Sequence, residues 1–322
     1  MKRFLLMLCA VALVFGVCGV PSFACGVPAE GDAEAASADP SLGMTYYEDM
    51  PADFYQERIG EPVEIKTDGS IVDIADGLRI SFEGTYADDL YGATEFEFYV
   101  ENKSQTAMYF YAPRMAVDGV ELNHNMNGMI SPHQRGFIYL ETMQPFMGVL
   151  QEGAPHRIDF DLLLINYNGD FVYNNTVTCV ISEDAQGEDF SLVSDNAFKL
   201  QTADVEVLGF TETDNDTQDL TFMLVAVKNT TDAVQAYKLT NVTFDECIGI
   251  STLGTWCEPG ECALIVAYVN TEDFMDMAEN PDEVAVAFNL ESYTVGDDGA
   301  YVLTTDPESQ EEVETVVGHV NG

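Results

Sequence analysis

Residues that bind soft metal ions are concentrated in one stretch of 24 residues of this chain. The stretch contains two histidines and four methionines, namely His124, Met126, Met129, His133, Met143 and Met147. Imidazole and thioether groups are ligands that suit copper(I). Methionine also fills irregular hydrophobic cores. The stretch therefore predicts either a copper site built on His124, Met126 and His133 or a methionine-rich core.

A second candidate for metal binding is the acidic segment of residues 214–219, which reads Asp-Asn-Asp-Thr-Gln-Asp. Calcium requires about six to eight converging oxygen ligands. Asp214 and Asp216 supply carboxylates, but the glycine and the distal glutamate of an EF-hand loop are missing. The segment is interpreted either as a calcium site or as the solvated tip of a hairpin.

The cysteines indicate an oxidising compartment. Three of them, Cys247, Cys257 and Cys262, lie within sixteen residues, and a disulfide among them is predicted with all three pairings open. Their spacing does not match a zinc knuckle, and no histidine lies nearby. Cys179 lies in an apolar run and is expected to be a buried thiol.

Catalytic motifs are missing from the sequence. None of the four histidines belongs to a zinc-protease helix motif, and there is no nucleophile elbow, phosphate-binding loop or dinucleotide fingerprint. Carboxylates are too numerous for any one pair to stand out as acid and base. The sequence therefore predicts no catalytic residues and no enzyme.

Aromatic residues supply a candidate contact surface. Tyr109 and Tyr111 alternate with Met108 and Phe110, so one pair must face outward if the segment is a strand. Sandwich domains often bind carbohydrate through flat aromatic faces, although strands favour aromatic residues in any case. We expect the face that carries Tyr109 and Tyr111 to be the contact surface.

The elements that position these residues are short strands that occur in two similar sets. Residues 98–118 align without gaps with residues 225–245, 127 positions later. The identical positions are Val100 and Val227, Asn102 and Asn229, and Asp118 and Asp245. Such self-similarity indicates one structural unit used twice.

Alternation of apolar and polar residues is typical of half-buried strands, and residues 95–101 show it clearly. Turn signals recur every ten or so residues, and no long stretch has helical periodicity. The sequence thus predicts an all-β protein with two tandem antiparallel β-sandwich domains, at 62–183 and 190–305, separated by a polar hinge. Residues 306–322 are predicted to be an acidic, frayed tail.

The repeated pattern of Val-x-Asn-x-Ser/Thr, an aromatic strand and a following hairpin resembles immunoglobulin-like modules of secreted lipoproteins from Gram-positive bacteria. The resemblance covers most of 78–181 and, less well, 203–304. It implies an immunoglobulin-like fold in which the Asn and the Ser/Thr form turns. It implies no catalytic residue.

The N-terminus predicts export. A basic start, an apolar run and small residues before Cys25 make residues 1–24 a signal peptide. Cys25 is the expected site of lipidation, although ordinary cleavage after Ala24 is the alternative. Residues 25–61 have little to bury over most of their length, so they are predicted to be a flexible acidic linker.

Charge excludes one class of partner. The chain has 56 acidic and 12 basic residues, and removal of Lys2 and Arg3 takes the formal charge from −44 to −46. Binding to nucleic acid phosphates requires clustered Lys and Arg, so we expect no nucleic acid partner and membrane contact only through the lipid. The sequence predicts a non-catalytic interaction protein outside the cytoplasm, with an envelope protein or a glycan as partner. The alternative is an extracytoplasmic ligand-binding protein for carbohydrate or for a metal ion, calcium or copper.

Overall fold

The computed structural model describes residues 58–88, 93–143, 146–147, 155–182, 192, 195–214, 219–251, 253–277, 280, 283–295, 301–304 and 312–319. The predicted signal peptide, Cys25, most of the predicted linker and residues 183–190 of the predicted hinge lie outside these ranges. Within them the chain is nearly all β, as predicted. A short helix, α1 (Thr271–Met277), lies between two strands.

Ten strands form the first half of the described chain. They are β1 (Val63–Lys66), β2 (Val72–Ala75), β3 (Leu78–Asp88), β4 (Ala93–Asn102), β5 (Met108–Val117), β6 (Val120–Leu122), β7 (His124–Ile130), β8 (Arg135–Met143), β9 (Arg157–Asn166) and β10 (Phe171–Val180).

Eleven strands form the second half. They are β11 (Phe198–Lys199), β12 (Ala203–Asp214), β13 (Asp219–Asn229), β14 (Gln235–Phe244), β15 (Cys247–Ile248), β16 (Ile250–Ser251), β17 (Leu253–Cys257), β18 (Cys262–Asn270), β19 (Glu283–Val295), β20 (Tyr301–Leu303) and β21 (Glu312–Gly318).

Strand β4 shows how the alternating sequence produces a two-sided sheet. Its even-numbered residues, among them Phe96, Phe98 and Val100, are buried, whereas its odd-numbered residues are partly exposed. Successive side chains of a strand point to opposite faces, so the apolar set enters the core and the polar set faces outward. The predicted wet and dry sides of this strand are confirmed.

Three layers of strands result. The front sheet has the order β2–β3–β4–β8–β7, and the long sheet runs β11–β12–β13–β18–β6–β5–β9–β10–β1. Strand β7 also pairs with β5 and so connects these two sheets. The rear sheet is built on β14 and β19, with β15 and β17 beside β14 and with β20 and β21 beside β19.

The two halves are joined by hydrogen bonding between β6 and β18. These strands pair in parallel over three residues, with Val120, Glu121 and Leu122 opposite Cys262, Ala263 and Leu264. The ladder makes the long sheet continuous from one half to the other.

Two buried clusters lie on opposite faces of the long sheet. The first lies between the front and long sheets and includes Phe98, Phe110 and Phe160. The second lies between the long and rear sheets and includes Val225, Phe244 and Ile265. Each half therefore places its apolar strand faces inward, as alternation predicts.

The first cluster also takes in side chains of the second half. These are the even-numbered residues of β13 and β18, namely Phe222, Leu224, Ala226, Leu264, Val266 and Tyr268. The sequence predicts self-contained modules, and the structure differs because both faces of β13 and β18 are buried. Strands buried on both faces have continuous apolar runs, and residues 262–269 form such a run. The domain boundaries themselves stay a prediction.

Two segments differ from the expectation. The tail of 306–322 is predicted to be frayed, but Glu312–Gly318 forms β21, whose residues pair with Glu283–Asn289 of β19. Val313 and Val317 alternate on its buried face, which stabilises this edge of the rear sheet. At the other end, Ile59 of the predicted linker pairs with Asn174, so ordered backbone begins before residue 62.

Candidate interaction surface

The structure does not bring His124, Met126 and His133 together. His124 begins β7, and His133 lies in the turn after β7, about 20 Å away along the strand. Met126 is fully buried in the first cluster. Both ring nitrogens of His124 lie 2.8 Å from backbone carbonyl oxygens, those of Leu122 and Ala112. Burial lowers the pKa of His124 below its ordinary value.

The acidic segment lies at a hairpin. Asp214 ends β12, and its backbone pairs with Asp219 at the start of β13, as expected of a hairpin. Asp216 lies outside the described residues. Within the described ranges, no group of three or more His, Cys, Asp or Glu side chains is arranged to hold a metal ion. Calcium or copper binding stays a prediction.

Cys179, Cys247, Cys257 and Cys262 are buried free thiols in this structure. Cys247 and Cys257 pair with opposite ends of β14, opposite Phe244 and Gln235, which places them roughly 30 Å apart. Cys257 and Cys262 flank a short turn, and the thiol of Cys257 donates to the carbonyl oxygen of Glu261 at 3.3 Å. A disulfide stays a prediction, and Cys257 with Cys262 is the pairing whose residues are separated only by a short turn.

Tyr109 and Tyr111 lie on the outer face of the long sheet, and Met108 and Phe110 lie in the core. The predicted alternation is therefore confirmed. Tyr111 is 8% exposed and Tyr109 is partly buried, and both pack with Leu163 and Ile165. Burial raises the pKa of both phenols. Their role as a contact surface stays a prediction.

A buried contact between Glu121 and Arg114 lies at the joint between the halves. Glu121, in β6, is 1% exposed, and one of its carboxylate oxygens accepts a hydrogen bond from Nε of Arg114. Its other oxygen has no hydrogen-bond partner in the described structure. Burial raises the pKa of Glu121 to about 8, the Arg114 guanidinium opposes this, and the carboxylates of Glu258 and Asp161 raise the pKa further.

The front sheet carries a different kind of surface on the side away from the core. Odd-numbered residues of β4 and β8 lie there, and the three central cross-strand pairs place Glu95, Glu97 and Tyr99 opposite Glu141, Tyr139 and Phe137. We call these six residues the aromatic–acidic face. Phe137 is 40% exposed, and the other five are partly exposed.

Contacts within the aromatic–acidic face hold its rings in place. The rings of Tyr99 and Phe137 meet edge to face with centroids 5.7 Å apart. Burial, followed by a hydrogen bond with Glu97, raises the pKa of Tyr139 to about 12. Tyr86 of β3 extends the surface. Its ring lies so close to Gly84 that a Cβ atom on residue 84 would be 3.3 Å from the ring carbons.

Sequence reasoning identified Glu95 and Glu97 only as the wet side of a strand. It missed the face because the pairing of β4 with β8 is a long-range contact. A usable signal was the 127-residue repeat, which aligns these acidic and aromatic positions with apolar positions of the second half. Such a difference indicates that the two copies of the same face have different surroundings.

Comparisons with known proteins place the chain in no family. No protein-family model matches the sequence, and no curated protein matches it. Within the described residues, no helix is both long and apolar enough to cross a bilayer.

Solved structures give only weak likenesses. A protein of unknown function from Porphyromonas gingivalis W83 is 13% identical, with 76% of this chain and all of the other covered and a TM-score of 0.21. The YadV chaperone is 10% identical, with 80% and 98% covered and a TM-score of 0.20. A FixG-related protein from Vibrio parahaemolyticus is 14% identical, with 37% and 97% covered and a TM-score of 0.19. Scores this low carry no argument about fold or function.

Proposed function

We propose that this protein is a non-catalytic interaction protein of the cell envelope, exported by residues 1–24, anchored by lipid on Cys25 and built from two immunoglobulin-like sandwiches. The observation that carries the interaction role is the aromatic–acidic face. Its aromatic side chains are presented to solvent by the regular central strands β4 and β8. Exposed aromatic residues on a rigid scaffold are typical anchors of binding surfaces.

The non-catalytic part of the proposal is supported by the surroundings of Glu121, the carboxyl group with the most strongly shifted pKa among the described residues. Glu121 has a strongly raised pKa, which is a feature of catalytic acids. It is, however, 1% exposed and hydrogen-bonded to Arg114. A substrate cannot reach a side chain enclosed in this way, so Glu121 is interpreted as a structural group.

The interaction role is tested by photocrosslinking on intact cells that produce the protein. A photoreactive amino acid at Phe137 is expected to form adducts with one envelope component. The same amino acid at Val316, which is 63% exposed on the rear sheet, serves as the matched control. Equal adduct patterns at the two positions would refute a specific surface on the front sheet.

The anchor is tested by mass spectrometry of the N-terminus of the protein isolated from its cells. We expect diacylglycerol on Cys25 and release of a Cys25→Ala variant from the membrane fraction. A mature chain that begins with an unmodified Cys25, or that retains residues 1–24, would contradict the lipid anchor. This measurement is independent of the crosslinking result.

A further inference from the structure

The aromatic–acidic face has a counterpart in the second half, at the same register. Strands β13 and β18 pair as β4 and β8 do, with every partner shifted by 127 residues. Glu95, Glu97 and Tyr99 thus correspond to Phe222, Leu224 and Ala226. On the neighbouring strand, Phe137, Tyr139 and Glu141 correspond to Leu264, Val266 and Tyr268.

The two copies of this face differ in burial. All six residues of the second copy are at most 4% exposed, and they belong to the same cluster as the core of the first half. The same surface of the repeat therefore already makes a contact within the chain. In the first copy, all six residues are partly exposed, and three of them are glutamates or tyrosines in place of aliphatic residues. Polar side chains at these positions suit a partner that binds reversibly, because the face is then in contact with water whenever the partner is absent. They do not suit a permanently packed contact.

Charge indicates the chemistry of that partner. Glu95 lies directly opposite Glu141, where the second copy has the aromatic pair of Phe222 and Tyr268. Like charges on directly opposite residues of a sheet repel each other. The two carboxylates add negative charge to this end of the face, and such charge favours a cationic partner.

Basic residues of the front sheet are confined to one end of this surface. Arg79 and Lys103 both form ion pairs with Glu101, which lies beyond Tyr99 on β4. Arg135 lies at the same end, opposite Glu101 on β8. The three pairs of the aromatic–acidic face contain glutamate, tyrosine and phenylalanine and no basic residue. Tyrosine and phenylalanine rings attract Lys and Arg side chains through cation–π contacts, and carboxylates pair with them directly.

We propose that the aromatic–acidic face binds an extended, Lys- or Arg-rich segment of a partner polypeptide. Alternate residues of β4 are about 6.7 Å apart, which is also the spacing of alternate side chains in an extended peptide. A segment with a basic residue at every second position would therefore place successive cations beside Glu95 and Glu97 and over the tyrosine and phenylalanine rings. This inference rests on the proposed interaction role and names the chemistry of the partner.

The test is titration of the mature chain, residues 25–322 with Cys25→Ala, with a synthetic peptide of about twelve residues that alternates Lys and Thr. A peptide with Gln in place of Lys and a neutral glucose oligomer are the comparison probes. We expect binding of the Lys peptide alone, with an affinity that falls as salt is added, because salt screens exposed charges.

Two pairs of matched variants locate the site. Phe137→Ser is expected to weaken binding about fivefold or more, whereas Tyr301→Ser, at a 47% exposed aromatic residue of the rear sheet, is expected to leave it within about twofold. Glu97→Gln is expected to weaken binding and to flatten its salt dependence, and Glu64→Gln in β1 is the charge control. Thermal melts of the variants establish that all are folded.

Three outcomes would overturn the proposal. These are the absence of Lys peptide binding, equal binding by all four variants, and Phe137-dependent binding of the glucose oligomer in place of the peptide. The second outcome would mean a diffuse attraction to an acidic protein, and the third would mean a glycan surface. None of them bears on the lipid on Cys25 or on crosslinking at Phe137, so failure here is distinguishable from failure of the proposed function.

Discussion

Asn102 and Asn229, 127 residues apart, make the same hydrogen bonds. The amide of Asn102 donates to the carbonyl oxygens of Thr106 and Ile130, both at 2.9 Å, and that of Asn229 donates to those of Ala233 and Cys257, both at 2.8 Å. Each side-chain oxygen accepts from the backbone N–H and the hydroxyl of the residue two positions later, Ser104 or Thr231. In each half this network connects the end of one strand to the end of a distant strand.

The first prediction concerns these two asparagines. Asn102 and Asn229 are at most 1% exposed, so replacement by alanine leaves buried carbonyl and hydroxyl groups without partners. We expect Asn102→Ala and Asn229→Ala each to lower the free energy of unfolding by about 2–4 kcal/mol. Urea denaturation followed by circular dichroism measures the loss. Asn168→Ala, at an exposed turn residue, is the control and should change stability by less than about 0.5 kcal/mol.

The second prediction compares Leu264 with Phe137, which occupy the same position in the two copies of the repeat. Leu264 is fully buried, and its replacement by alanine is expected to cost about 2–4 kcal/mol. Phe137 is 40% exposed, and Phe137→Ala should cost less than about 1.5 kcal/mol, although its side chain is larger. Equal losses in urea denaturation would show that the outer face of β18 is not packed against the first half.

The third prediction is a pH dependence that originates at Glu121. The folded-state pKa of this acid is raised from 4.5 to about 8, so the folded protein binds its proton more tightly than the unfolded chain does. The stability from this group is therefore complete below pH 4.5 and is lost as the pH rises toward about 8. Glu121→Gln removes the titration, so we expect the variant to gain stability relative to wild type over this range, by up to about 4 kcal/mol.

Urea midpoints at pH 5 and pH 8.5 measure this difference. Glu64→Gln is the matched control, because Glu64 is 59% exposed in the neighbouring part of the first half. A pH dependence that is identical in wild type and Glu121→Gln would mean that Glu121 ionises normally in the folded protein.

The fourth prediction concerns the thiols. Burial raises the pKa of Cys179 and Cys257 to about 12 and raises that of Cys247 and Cys262 as well. The thiolate is the reactive form of cysteine. In the mature Cys25→Ala chain, we expect a disulfide-exchange reagent to label no cysteine rapidly at pH 8 and to label all four after unfolding with reductant. Labelling of only two after unfolding without reductant would show the predicted disulfide, and rapid labelling of the folded protein would contradict the burial of the thiols.

The amino-acid sequence by itself determined the local structure of this protein. Alternation in residues 95–101 was sufficient to predict which side chains of β4 are buried, because the two-residue period of a strand is a local property. The repeat was sufficient to predict that Asn102 and Asn229 have the same role. The sequence also predicts that nucleic acid is not a partner, because net charge follows from composition alone.

Only the tertiary structure decided how the strands combine. Three residue pairs between β6 and β18 join the halves. Every non-proline residue has the same backbone donor and acceptor, so the sequence does not indicate which strands form such hydrogen bonds. The acidic segment at Glu312–Gly318 forms β21 because it pairs with β19 at the edge of the rear sheet, a contact that only the folded chain provides. The aromatic–acidic face likewise required β4 and β8 to lie side by side, although Phe137 comes 40 positions after Glu97 in the sequence. Sequence patterns report which face of a strand avoids water, whereas the strand that lies next to it is chosen by packing over the whole chain.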